Sequence, residues 1–151
     1  MKQRPRISDG RDASSRRAIA VVELALVLPV LFILILGMLE ICEGIFLKQK
    51  IVIASHEGAR IAVRRDATIS DVQDAVSAYL QAREMEFGPI ASVVSCTPAP
   101  EEAKLLEPVV VRVEIDVNSN MRMPLSLYKY IRGETIVGEV TMFKEYDGAN
   151  L

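Results

Sequence analysis

The chain has 151 residues, a net charge of −2 and a hydrophobic content of 50%. That length holds one domain plus an anchor. One histidine and two cysteines are too few to build a metal centre from the usual ligands, so neither a metal nor another cofactor is expected. The charge is segregated: residues 1–17 carry six basic against two acidic side chains, and residues 40–151 carry twelve against seventeen.

The first 17 residues are polar and basic, with Pro5, Gly10, Ser14 and Ser15. They read as a disordered leader. Because the basic stretch is short and an apolar run follows at once, it reads as a topology signal rather than a nucleic-acid arm, and no nucleic-acid partner is expected. Ala18 to Leu39 is apolar except for Glu23. Those 22 residues reach about 33 Å as a helix, enough to cross a hydrocarbon core of about 30 Å. The run is longer than the core of a secretory signal, and Gly37 to Glu43 offers no small-residue cleavage site. A retained transmembrane helix over 19–39 is predicted, with a kink near residues 25–29 at Pro29. Lys and Arg stay on the cytoplasmic side, which places everything after the span on the other face.

Residues 40–66 hold no proline, and their side chains mostly favour or tolerate helix, which predicts a helical stalk. Glu40 and Glu43, three apart, read as a solvated collar beyond the membrane. A second helix is predicted from Ser70, with Ser70 and Gln73 as a capping box and Val72, Ala75, Val76, Tyr79 and Leu80 on its apolar face. Gly88-Pro89 ends it. Ile90 to Cys96 reads as a short strand and Thr97 to Pro108 as a loop. Val109 to Val117 alternates, with Val109, Val111, Val113, Ile115 and Val117 on one face, as a half-buried antiparallel strand does. Asn118 to Pro124 is a turn, and Leu125 to Ile131 reads as one or two helical turns. Glu134 to Lys144 alternates again, with Ile136, Val140 and Met142 on one side. The expected class is α+β: a long N-terminal transmembrane and stalk helix, an amphipathic helix, and a small antiparallel sheet of about three strands. Residues 67–151 make the small non-cytoplasmic domain.

Chemistry-bearing groups are sparse. His56 reads as a solvated helix residue. There is no phosphate-binding glycine loop and no nucleophile elbow, and the four tyrosines form no stacking stripe. An enzyme is not expected. Cys42 at the membrane border and Cys96 in the distal domain can bridge within one chain only if the domain folds back. Two buried free thiols, or one intermolecular bridge, are alternatives that spacing does not separate. Glu23 stands apart. A carboxylate about 7–8 Å into an apolar span either snorkels to water or has a partner.

Arg16-Arg17-Ala18 followed by Ile19-Ala20-Val21-Val22-Glu23-Leu24-Ala25 and a proline-bearing apolar run resembles the N-terminus of the TadE/TadF-like pseudopilins of the tight-adherence (Flp) pilus system. Ala54 to Ala62, with Glu57-Gly58-Ala59-Arg60 at its centre, is similar to a second block of that family. Thr141 to Glu145 is similar to its closing strand. Position 18 is Ala where Gly is usual, and residue 24 is Leu where major Flp pilins have Tyr. The length matches a minor subunit rather than a major pilin. The resemblance implies a cut between Ala18 and Ile19 by a prepilin peptidase, so that leader 1–18 is lost. It implies a role for Glu23 in setting subunit register. It also implies partners among other pilins and pseudopilins through the N-terminal helix, an inner-membrane assembly platform, and a bacterial inner-membrane location with the C-terminal domain periplasmic. Rival readings are an unprocessed single-pass anchor with an external binding domain, a general-secretory pseudopilin (which commonly starts at Phe or Met, not Ile), and a membrane-anchored hydrolase.

Overall fold

A computed structural model of the chain describes residues 10–121, 130 and 133–145. It divides into two compact units, Met1–Leu39 and Glu40–Leu151. The boundary falls inside one helix, α1 (Gly10–Ala62).

In the first unit α1 begins at Gly10, so Gly10–Arg17, expected to be disordered, is helical. Pro29 lies inside the helix. From Ile19 to Leu36 every large apolar side chain is exposed. The surface is apolar all round, with no polar face to turn toward water. That pattern suits a helix surrounded by lipid or by other helices.

The second unit contains the last 23 residues of α1, α2 (Ile69–Ala82), a single turn α3 (Ile90–Val93), and the strands β1 (Val94–Thr97), β2 (Pro108–Asp116) and β3 (Thr135–Phe143). The strands form one antiparallel sheet in the order β1-β2-β3. Val111 pairs with Cys96 on one side and Val140 on the other. Alternation works as anticipated: Val109, Val111, Val113 and Ile115 are buried, as are Ile136 and Val140. Leu47, Ile51, Ala54, Ala59 and Ala62 of α1 and Val72, Val76 and Leu80 of α2 complete the core. The 40–62 stretch is therefore part of the domain's own core.

Three local expectations are corrected. The cap of α2 is Thr68, not Ser70. The Thr68 hydroxyl accepts from the Asp71 amide, and Asp71 accepts from the Thr68 amide at 2.9 Å. The box is thus Thr68/Asp71, two residues upstream of the Ser70/Gln73 reading. The extended backbone of Thr68 suits the N-cap position. Ile90–Cys96 is not all strand: Ile90–Val93 is a helical turn closed by the Ser92 hydroxyl donating to the Pro89 carbonyl, and the strand begins at Val94. Glu40 is buried, at 1% exposure, so it is no solvated collar. The Leu125–Ile131 reading, Tyr130 apart, falls outside the described residues.

Candidate functional site

Ile19 and Glu23 are four residues apart on α1, so they lie on one helix face. Ala18, Val22 and Leu26 lie on or beside the same face, all exposed. Ile19 is 64% exposed. Glu23 is exposed and takes no hydrogen bond or ion pair from another described residue. The sequence-predicted processing pair and the register carboxylate are thus brought together, open to whatever surrounds the helix. The Ala18–Ile19 bond is itself in helical conformation.

The second block, Ala54 to Ala62, does a different job. Ala54, Ser55, Gly58, Ala59 and Ala62 are all buried. They give α1 a face of small side chains, and that lets backbones approach closely. A Cβ on Gly58 would lie 2.9 Å from Val76 Cγ2, 3.1 Å from Val111 Cγ1 and 3.3 Å from Val72 Cγ1. The strand side carries a matching notch: a Cβ on Gly138 would lie 2.7 Å from both Ile51 O and Ser55 Oγ. Two glycines, one on the helix and one on β3, seat α1 against α2, β2 and β3. Glu57 and Arg60 point outward and pair at 2.8 Å across one turn. His56 is exposed, as the sequence suggested.

Where α1 ends, Lys144 enters. Its side chain is 4% exposed, and Nζ donates to the carbonyls of Ala62, Arg64 and Pro100, each at 3.0 Å. The last carbonyls of a helix have no intrahelical donor and carry partial negative charge, so a cation there is favourable. The start of α2 receives the opposite treatment: Glu101 accepts from the Ile69 amide at 2.7 Å. Asp71 sits in the same first turn, and hydrogen bonds from Thr68 hold its carboxyl below the ordinary value of 3.8. The loop between β1 and β2 thus bonds directly to the start of α2 through Glu101, and it is tied to the end of α1 through the shared Lys144 ammonium.

Sequence reasoning missed Lys144, Gly138 and Glu101. For Lys144 the signal was there: it shares parity with Ile136 and Val140, so strand alternation points it inward. Cys42 in α1 and Cys96 next to Glu101's loop are both free thiols. Burial, helped by Glu101, pushes the Cys96 thiol up to about 11 from an ordinary 9.0. Folding therefore favours the neutral thiol, and the stability this contributes holds below pH 9 and fades as pH rises toward 11. Among the described residues no group of three or more His, Cys, Asp or Glu is placed to hold a metal ion.

Among the described residues, one helix is long and apolar enough to cross a membrane, as a single-pass anchor requires; its mean hydropathy is 3.0 over the most apolar window, none of which is buried. Residues 18–60 match the TadE-like protein family. The match contains both the Ala18–Glu23 segment and the Glu57–Arg60 block. No curated protein and no solved structure matches the chain. The stretch from Ala18 to Arg60 is therefore similar to TadE-like proteins, and the similarity includes the N-terminal apolar helix.

Proposed function

We propose that this protein is a minor pseudopilin, an accessory subunit in assembly of a Flp-type (Tad) pilus, cut after Ala18 by a prepilin peptidase. The observation that carries this reading is the Glu23 carboxylate, exposed and without a partner among the described residues, on the same face as Ile19 in an otherwise apolar span within the TadE-like match. Its role is structural, not catalytic. Cutting would remove the basic leader, whose net charge of +4 holds the helix to the cytoplasmic face. It would also create an α-amino group on Ile19. In low dielectric, the amine of one subunit and Glu23 of its neighbour attract strongly, and either one alone is costly. The pair would fix the axial offset between packed helices. The partners in this reading are other pilins and pseudopilins along α1, the peptidase, and the inner-membrane platform. The chain sits in the bacterial inner membrane with its C-terminal domain periplasmic, in position to enter or prime a fibre.

Sequencing the N-terminus of the mature protein tests the cut. A start at Ile19 is expected, and a start at Met1 rejects processing. Glu23→Ala should leave cleavage intact while reducing copurification with other pilus subunits. An uncut chain that tolerates Glu23→Gln would instead support the plain membrane anchor with an external binding domain.

A further inference from the structure

We infer that Lys144 is a latch, which makes closure of the α1 C-terminus conditional on docking of the last strand. Three observations meet at this side chain. It is buried, and all three of its hydrogen bonds go to backbone carbonyls of two distant segments, Ala62 and Arg64 at the end of α1 and Pro100 in the β1–β2 loop. Its own backbone is tied in on both sides: the Lys144 amide donates to Glu107 O at 2.9 Å, and the Leu106 amide donates to Lys144 O at 2.8 Å. The segment it holds leaves helix at once, with a left-handed Asp66 (φ 55°) and the exposed pair Arg64-Arg65.

The physical consequence is coupling. The amides of Val63 and Arg64 make only helix-end bonds, to Ala59 O at 3.2 Å and Ile61 O at 3.0 Å. Helix ends fray unless something holds their carbonyls. Here the holder comes from 80 residues further along the chain. Until β3 has paired with β2, the Lys144 ammonium is not held at those carbonyls. The Arg64-Arg65 junction therefore stays open in any chain whose final strand is undocked, and it closes as that strand seats. This device is independent of pilus assembly.

Native-state hydrogen exchange on the full chain in detergent micelles tests it. In the wild type, the amides of Val63, Arg64 and Lys144 should open as one unit, with a shared dependence on added denaturant. Lys144→Met should speed exchange at Val63 and Arg64, and trypsin cleavage after Arg64 or Arg65, by about tenfold or more, because it removes charge-assisted bonds. Amides at the centre of β2 should change much less, and Lys144→Arg should restore most of the protection. Gly138→Ala, which disturbs β3 without touching the latch, should not concentrate its effect at residues 63–64. Separate openings in the wild type would overturn the inference. So would a uniform rise across the sheet in Lys144→Met, or no rise at all. If Lys144→Met does not fold, the wild-type denaturant series decides the question alone.

Discussion

The helix α1 is one continuous element built by two different rules. From Ile19 to Leu36 its large apolar side chains are exposed on every face. After Glu40 one face shrinks to Ala54, Ser55, Gly58, Ala59 and Ala62 and is buried completely. Among the described residues, the first stretch buries none of its large apolar side chains from Ile19 to Leu36. The second is matched to the grooves of α2 and the sheet to within a methyl group. Hydropathy alone identifies the first kind of helix. The second kind is set by shape, and shape depends on residues far away in sequence.

Substitutions can break that contrast. Leu80→Ala empties a fully buried site in α2 and should cost about 2–5 kcal/mol, whereas Leu34→Ala, on an exposed apolar position of α1, should leave the denaturation midpoint of the distal unit nearly unchanged. Denaturant titration of the full chain in micelles, read from a probe on the sheet, compares the two. An equal loss at both positions would dissolve the distinction between the regions. Gly138→Ala sharpens it: the new methyl would meet helix backbone, which yields poorly, so a loss near the upper end of about 1–3 kcal/mol is expected in the same titration. Gly58→Ala meets valine methyls as its nearest atoms and should cost less.

These cases show what could be read without coordinates. The strands β2 and β3 were legible because alternation is a local code, and the span was legible because it needs only composition. The packing of residues 40–62 was not. Nothing between Glu40 and Arg60 says that a notch opposite Ser55 waits at position 138. Glu40 was misread for the same reason, since three-residue spacing to Glu43 suggested a wet face while tertiary packing buried it. The cap slipped by two residues because Thr68 and Ser70 both offer hydroxyls, and only the backbone shape at Thr68 separates them. Of the candidate site, Ala18, Ile19 and Glu23 could be placed on one face from helical spacing, while the latch lysine needed the register of the sheet.

Smaller effects refine the comparison. Thr68→Ala should cost about 1 kcal/mol by removing one half of the α2 cap, seen as a shift in the thermal midpoint. It should also let the Asp71 carboxyl rise toward 3.8, weakening the stability that its depressed value supplies above that pH and that disappears on acidification. Glu57→Ala removes an exposed pair and should change stability by only a few tenths of a kcal/mol, near the limit of measurement. A large loss there would mean that the outward side of the small-residue face has structural work of its own.

One contact at the margin of the sheet has a wider bearing. Glu134 O and the Lys144 amide both bond toward β2, so the even-numbered residues of β3 spend their backbone groups inward and the odd-numbered ones present theirs at the rim. Val137 is one of those, and its carbonyl accepts from Lys48 Nζ on α1. A rim that no described strand covers is an invitation to stray polypeptide. The ammonium occupies the acceptor and sets a positive charge at the border, so an incoming segment finds the template interrupted midway. The helix that carries the long apolar span thereby also guards the open edge of the sheet against stray pairing.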